Sequence, residues 1–194
     1  MVILYEVHDN LYVNMTNKCP CACTFCLRQT RDEMNHSGSL WLEREPSVEE
    51  VKNEFSKLNK YKEVVFCGFG EPTERLDDVL EVCRFIKDKY NKTIRINTNG
   101  LADLIHKKNT APMFDGLIDI VSISLNTPNK ERYLELTRSK FGIESFDAMI
   151  KFAENVKEVV LSTVSTTLTE EEEKECADIC KKIGVTYRIR PFED

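Results

Sequence analysis

The sequence contains Glu63-Val-Val-Phe-Cys67-Gly68-Phe-Gly-Glu-Pro-Thr73, which reads as the end of one structural element and the turn into the next. The short apolar run 63–67 predicts a buried strand, and the glycine-rich segment 68–73 predicts a turn. After the turn, apolar residues recur at the spacing that is typical of one face of a helix. These residues are Leu76, Val79, Leu80, Cys83 and Ile86. The stretch therefore predicts a strand–turn–helix unit.

The same unit recurs along the chain. Two of the helices are predicted to begin at capping boxes, Ser47 with Glu50 and Thr169 with Glu172. Strands that alternate with helices form parallel sheets joined by right-handed crossovers. The predicted strands are 11–16, 63–67, 93–98, 119–125, 158–164 and 185–190. Because a closed barrel needs eight strands, the sequence predicts an α/β fold, an open partial (βα)6 barrel of parallel strands, in one domain spanning residues 1–194.

The composition is that of a globular chain. It has 194 residues, of which 41% are hydrophobic, and a net charge of −6. An acidic chain is not expected to present a broad nucleic-acid surface, which needs clustered positive charge. No apolar run approaches the roughly 18 residues of a membrane span, and residues 1–8 are too short and too acidic for a secretory signal. We therefore expect a cytoplasmic protein without membrane association.

Four of the eight cysteines lie in the segment Cys19-Pro-Cys-Ala-Cys23-Thr-Phe-Cys26. Neighbours at such spacing do not pair readily as disulfides, so the pattern indicates metal binding or catalysis in a reducing compartment. Cys19, Cys23 and Cys26 have the spacing Cys-x3-Cys-x2-Cys, and three thiolates on one loop can each bind one iron of a four-iron cluster. The remaining iron is then open, as a catalytic metal requires. Cys21 lies inside this loop and is the alternative fourth ligand.

These motifs resemble those of the radical S-adenosylmethionine (radical SAM) superfamily, and the resemblance covers essentially the whole chain. The cysteine loop has an aromatic residue, Phe25, before its last cysteine. The family's glycine-rich turn is matched by Gly68-Phe-Gly-Glu-Pro72, in which Phe69 replaces the second glycine. Further matches end the later strands: Thr98-Asn-Gly100, Ser124-Leu-Asn126 and Ile189-Arg-Pro-Phe192. Among short members, the chain resembles the group named for its linkage to the TatD nuclease family.

The resemblance implies two cofactors, a [4Fe–4S] cluster and S-adenosylmethionine (SAM), with Cys19, Cys23 and Cys26 as the metal ligands. A flavodoxin- or ferredoxin-like one-electron donor would reduce the cluster. Reductive cleavage of SAM would then give methionine and a 5′-deoxyadenosyl radical, which takes a hydrogen atom from a substrate.

The resemblance also implies which residues bind the cofactors. The glycine-rich turn and Asn97 would contact the amino group of SAM, Ser124 and Asn126 would lie near its ribose, and the last strand would contact its adenine. Phe25 would shield the cluster from water. The full set is Phe25, Gly68, Phe69, Gly70, Glu71, Asn97, Ser124, Asn126 and Pro191.

The motifs do not define the substrate, which we expect to be a small molecule or a peptide-like compound. Arg28 follows the cysteine loop and Arg190 ends the last predicted strand, and they are the candidate catalytic residues. If both face the interior, their guanidinium groups would suit a carboxylate or a phosphate. Two alternatives stay open at this point. One is an activating enzyme that places a glycyl radical on a partner protein, and the other is a non-enzymatic module that binds zinc or iron through all four loop cysteines.

Overall fold

The centre of the protein is a seven-stranded sheet, seen in a computed structural model that describes residues 1–34, 36–56 and 58–191. The strands follow one another across the sheet in chain order. The first two pair antiparallel, and every later pair of neighbours is parallel. The strands are β1 (Leu4–Val7), β2 (Asn10–Val13), β3 (Val64–Phe66), β4 (Ile94–Thr98), β5 (Ile120–Ser124), β6 (Val159–Val164) and β7 (Thr186–Arg190).

Helices connect the parallel strands, and both predicted capping boxes are present. The Ser47 hydroxyl accepts from the Glu50 N–H while the Glu50 carboxylate accepts from the Ser47 N–H, and Thr169 with Glu172 does the same. The helices are α1 (Val48–Glu54), α2 (Leu76–Tyr90), α3 (Ala102–His106), α4 (Lys130–Thr137), α5 (Glu144–Asn155) and α6 (Glu170–Ile183). Among the described residues, no helix has the length and apolar character that crossing a membrane requires.

The six predicted strands correspond to β2–β7, and the open α/β partial barrel of parallel strands is confirmed. The prediction omitted β1, which adds an antiparallel strand at the edge of the sheet. This strand has only four residues, and its turn into β2 contains His8 and Asp9 without a glycine. His8 nevertheless takes a left-handed φ of +52°. The usual sequence signal of a tight hairpin is therefore missing.

The two faces of the sheet have different characters. One face packs against the helices, and its fully buried side chains each contribute about 1.5–3 kcal/mol to stability. These include Val64, Phe66, Ile94, Ile96, Val121 and Ile123. The opposite face, here called the inner face, carries the half-buried side chains of Arg95, Asn97, Ser122 and Ser124. The sheet therefore has an apolar outer layer and a polar inner face.

Candidate functional site

The cysteine loop, residues 19–26, follows β2 and is fixed by main-chain hydrogen bonds to a distant part of the chain. The N–H groups of Ala22 and Thr24 donate to two carbonyls in the last turn of α4, each at 2.9 Å. Just after α4, the N–H of Lys140 donates to the carbonyl of Pro20 at 2.9 Å. Because these bonds use the main chain, they set the course of the loop independently of its cysteine side chains.

The four cysteines of the loop fall into two groups. Cys19, Cys23 and Cys26 are half-buried, whereas Cys21 is 4% exposed and packs in the hydrophobic core. The Cys21 thiol forms hydrogen bonds with the thiols of Cys19 and Cys23, which lower the pKa of each of these two and raise the pKa of Cys21 itself. Burial raises the pKa of Cys26. Since metals bind thiolates, Cys19 and Cys23 are better disposed to bind iron than Cys21.

The donor set of this loop fits a cluster with three protein ligands. Over residues 1–34, 36–56 and 58–191, no three His, Cys, Asp or Glu side chains converge on the position of one metal ion. The thiolates of a cubane need not converge in this way, because each of them binds a different iron. Three half-buried thiols beside a fourth that is buried match this requirement.

The glycine-rich turn, residues 68–73, packs directly against the start of the cysteine loop. The N–H of Glu71 donates to the carbonyl of Lys18 at 2.8 Å. A Cβ atom at Gly70 would lie 2.2 Å from the carbonyl oxygen of Thr16 and 2.7 Å from that of Lys18. Both obstacles are main-chain atoms, so there is no room for a side chain at Gly70. The turn and the loop are thus one packed unit.

Phe69 occupies the position of the second glycine in the family pattern. Its side chain is buried in a small apolar cluster with Tyr5 and Leu40. Its ring centroid is 5.1 Å from that of Trp41 in an edge-to-face arrangement. The side chain therefore packs the turn against the segment that follows the cysteine loop.

The Glu71 carboxylate is buried and connects the turn after β3 to the end of β4. Its Oε1 accepts from the N–H and hydroxyl of Thr73, at 3.1 and 2.8 Å, and from the hydroxyl of Thr98 at 2.7 Å. Its Oε2 accepts from the N–H of Asn99 at 2.8 Å. Burial raises the pKa of Glu71, although these hydrogen bonds act in the opposite direction. The carboxylate orders two neighbouring strand ends at the edge where the cysteine loop lies.

A substitution at Thr98 tests this connection. Thr98→Val keeps the shape of the side chain but removes the hydroxyl that donates to Glu71 and accepts from the N–H of Gly100. We expect the free energy of unfolding in urea to fall by about 1–3 kcal/mol, because a buried carboxylate and a buried N–H each lose a partner. Thr98→Ser retains the hydroxyl and is the control. Equal stability of the two variants would contradict this account.

Three of the residues implied to bind SAM lie at the carboxyl ends of β4 and β5. Asn97 is half-buried on the inner face, and its Oδ1 accepts from Arg95 at 3.3 Å. Ser124 is the last residue of β5. Asn126, two residues later, has a left-handed φ of +65°, which asparagine tolerates better than most residues.

The two other residues implied to bind the cofactors, outside the glycine-rich turn, are exposed. Phe25 is 51% exposed, so much of its ring is accessible to a bound molecule. Pro191 follows β7 and is also exposed. Phe192, the last residue of the third strand-end motif, lies outside the described residues.

The two candidate arginines have different surroundings. The Arg28 guanidinium donates to the carbonyl of Cys21 at 3.2 Å and to that of Asn17 at 3.5 Å. Its charge therefore lies against the main chain of the cysteine loop. Arg190 pairs in register with Val164 of β6, and it lies on the inner face of the sheet.

Two asparagines that no sequence motif singles out also shape the site. Asn14 donates through Nδ2 to the carbonyls of Leu40 and Val2, at 2.8 and 3.2 Å. Asn17 donates to the carbonyl of Leu42 at 2.7 Å and accepts from its N–H at 3.1 Å. These bonds hold the segment 40–42 beside the cysteine loop. Isolated asparagines of this kind look like loop residues in a sequence.

Comparison with known proteins identifies the class. Residues 13–184 match the Radical SAM superfamily, and the chain belongs to this family. A protein of Methanocaldococcus jannaschii named "Probable GTP 3′,8-cyclase" is 30% identical over 190 residues, which cover 94% of this chain and 58% of the relative. The GTP 3′,8-cyclase of Aquifex aeolicus is 26% identical over 186 residues, which cover 95% of this chain and 56% of the relative. The chain thus spans little more than half the length of these curated relatives.

Solved structures support the same fold. The structure of Streptococcus suis SuiB bound to S-adenosylmethionine aligns with a TM-score of 0.68 at 19% identity, covering 94% of this chain and 40% of SuiB. Methylornithine synthase (PylB) aligns with a TM-score of 0.60 at 16% identity, covering 95% of this chain and 53% of that one.

The chain is therefore a member of the radical SAM family of enzymes, and membership implies a [4Fe–4S] cluster and SAM as cofactors. Family membership excludes the non-enzymatic metal-binding module. An enzyme of this family also requires a substrate and an electron donor.

Proposed function

We propose that the chain cleaves SAM reductively at a [4Fe–4S] cluster held by Cys19, Cys23 and Cys26, and that the resulting 5′-deoxyadenosyl radical takes a hydrogen atom from a small, negatively charged substrate. The observation that carries this proposal is the pairing of three half-buried thiols on a fixed loop with a glycine-rich turn packed against it. A flavodoxin- or ferredoxin-like protein would supply the electron. The proposal includes membership of the TatD-linked group of radical SAM proteins, which the chain resembles in sequence.

The residues of the turn and the strand ends would bind and orient SAM. Gly70 lacks a side chain, so the main chain of the turn is open to a ligand on any side that the cysteine loop does not cover. Glu71 Oε2 accepts a single hydrogen bond and has room for a second, which an ammonium group would suit. Asn97 and Phe25 would complete the contacts at the amino group and above the cluster.

The nucleoside of SAM would lie across the ends of the later strands. Ser124 and Asn126 offer a hydroxyl and an amide near the end of β5, and such groups match the hydroxyls of a ribose. Pro191 would contact the adenine from the end of β7. A ligand held by these residues would border the inner face of the sheet.

The inner face carries arginine side chains whose positive charge could bind a substrate. Register pairs Ser124 with Ser162, and Ser162 with Arg188, while Arg190 lies two residues further along β7. Arg95 is less available, because its guanidinium is 2.7 Å from the Glu63 carboxylate. Arg188 and Arg190 also carry positive charge on this face, and a phosphate or carboxylate is the complementary group. GTP, which names the cyclase relatives, has this kind of charge.

Anaerobic reconstitution tests the function. We expect the reconstituted protein to contain iron and sulfide, to change its electron paramagnetic resonance (EPR) spectrum when SAM is added, and to release 5′-deoxyadenosine when dithionite is supplied. These results require a cluster with one iron free to bind SAM. A spectrum that SAM leaves unchanged, together with no 5′-deoxyadenosine, would contradict the proposal.

The same assay tests the substrate class. A panel of small phosphorylated and carboxylated compounds is expected to contain one that accelerates SAM cleavage in the wild type and does so less in Arg190→Gln. Undiminished acceleration in the variant would remove Arg190 from the proposal. Acceleration by a large protein and by no small molecule would instead favour the glycyl-radical activating enzyme.

A further inference from the structure

The hydroxyl of Tyr133 is buried beside the cysteine loop without a hydrogen-bond partner. Tyr133 lies on α4 and is 1% exposed. Its ring is 5.5 Å from that of Phe146 in an edge-to-face contact. Among the described residues, no group is within hydrogen-bond range of its hydroxyl. A buried hydroxyl without a partner is destabilising by about 1–3 kcal/mol, so its presence here requires an explanation.

Tyr133 lies in the same core as the thiols of the loop. Tyr133 and Cys21 belong to one hydrophobic core, against which Cys19 and Cys23 pack. Burial raises the pKa of Tyr133, and the charges of the Cys21, Cys23, Glu71 and Cys19 side chains act in the same direction. A tyrosine hydroxyl carries a hydrogen that it can donate. The last turn of α4 accepts the main-chain hydrogen bonds that fix the loop. Because Tyr133 is on the same helix, α4 fixes the position of its hydroxyl relative to the loop.

We propose that Tyr133 donates its hydroxyl hydrogen to a sulfur atom of the cluster, either a thiolate of the loop or a sulfide next to it. This inference rests on the proposed function, which assigns a cluster to Cys19, Cys23 and Cys26. The hydroxyl is unpartnered only while the loop holds no cluster, and cluster binding supplies its acceptor. A hydrogen bond to a cluster sulfur stabilises the more negative, reduced state, and so raises the reduction potential.

The test compares Tyr133→Phe with Tyr187→Phe. Tyr133→Phe removes the hydroxyl and keeps the ring contact with Phe146. Tyr187 lies on β7 and has a partnered hydroxyl, 2.7 Å from that of Thr163. In the cluster-free protein, we expect Tyr133→Phe to melt at the same temperature as the wild type or higher, and Tyr187→Phe to melt lower.

The second measurement uses the cluster-loaded protein without SAM. Here we expect Tyr133→Phe, and not Tyr187→Phe, to differ from the wild type. We expect a redox titration followed by EPR to show that reduction of the Tyr133→Phe cluster is about tenfold less favourable than in the wild type, which corresponds to a potential lower by about 59 mV. Tyr187→Phe should keep the wild-type potential. Identical potentials in the wild type and Tyr133→Phe would overturn the inference, and so would a difference that appears only when SAM is bound. A wild type that loads no cluster would overturn the proposed function itself.

Discussion

Cys23→Ala is expected to retain less than about a tenth of the wild-type iron and sulfide after anaerobic reconstitution, because one corner of the cluster loses its only protein ligand. Cys19→Ala and Cys26→Ala should behave in the same way. SAM cleavage should disappear together with the cluster. Iron and sulfide analysis and the release of 5′-deoxyadenosine measure the two losses.

Cys21→Ala is the matched control, since it removes a thiol from the same loop. We expect it to retain the cluster and the response of the EPR spectrum to SAM. The Cys21 side chain is buried in the core, so the variant should lose some stability by leaving a small cavity. A Cys21→Ala protein that loses its cluster as fully as Cys23→Ala would contradict the assignment of three ligands.

Gly70→Ala is expected to have the second-largest effect. The new methyl group would lie 2.2 Å from the Thr16 carbonyl oxygen and 2.7 Å from that of Lys18, so the turn and the cysteine loop must move apart. Such overpacking costs about 1–3 kcal/mol. A displacement of the turn by about 1 Å would lower the rate of SAM cleavage on the order of 100-fold. Urea unfolding and the rate of 5′-deoxyadenosine release measure the two effects.

Gly184→Ala separates the loss of stability from the loss of activity. Gly184 ends α6 with a φ of +76°, and a Cβ there would meet nothing within 4 Å. Its left-handed backbone makes the substitution destabilising by about 1–2 kcal/mol, which is similar to the expected effect at Gly70. SAM cleavage by Gly184→Ala should nevertheless stay near the wild-type rate. A comparable loss of activity in both variants would mean that general destabilisation explains the result at Gly70.

The parallel strands and the helix starts could be predicted because their signals are local. The capping boxes at Ser47 and Thr169 need only four consecutive residues. β3 is a short, fully buried apolar run, and in β4 and β5 buried residues alternate with half-buried ones. β1 could not be predicted in this way. Its pairing depends on a turn at His8, which has a left-handed backbone although the turn contains no glycine. It also depends on burial of Tyr5 under a segment that begins about 30 residues later.

The candidate site also has features that local sequence predicts and contacts that form only in the folded chain. The spacing of the cysteines and the glycine-rich turn are visible in the sequence because they are contiguous. The partners of Glu71, Arg28 and Arg95 are not visible, since each forms between strand ends or loops that only the folded sheet brings together. Tyr133 has no signal in the sequence either, because a tyrosine at helical spacing resembles any core aromatic residue, and only the fold leaves its hydroxyl without a partner among the described residues.

The main-chain bonds between the cysteine loop and the end of α4 join residues more than a hundred positions apart, such as Thr24 and Leu136. During synthesis, the amino-terminal third of the chain leaves the ribosome long before its anchor does. The nascent cysteines therefore remain reduced and without their final support until α4 has emerged, more than a hundred residues later. Iron delivery to this enzyme should consequently follow translation of α4 rather than accompany the appearance of the cysteines themselves.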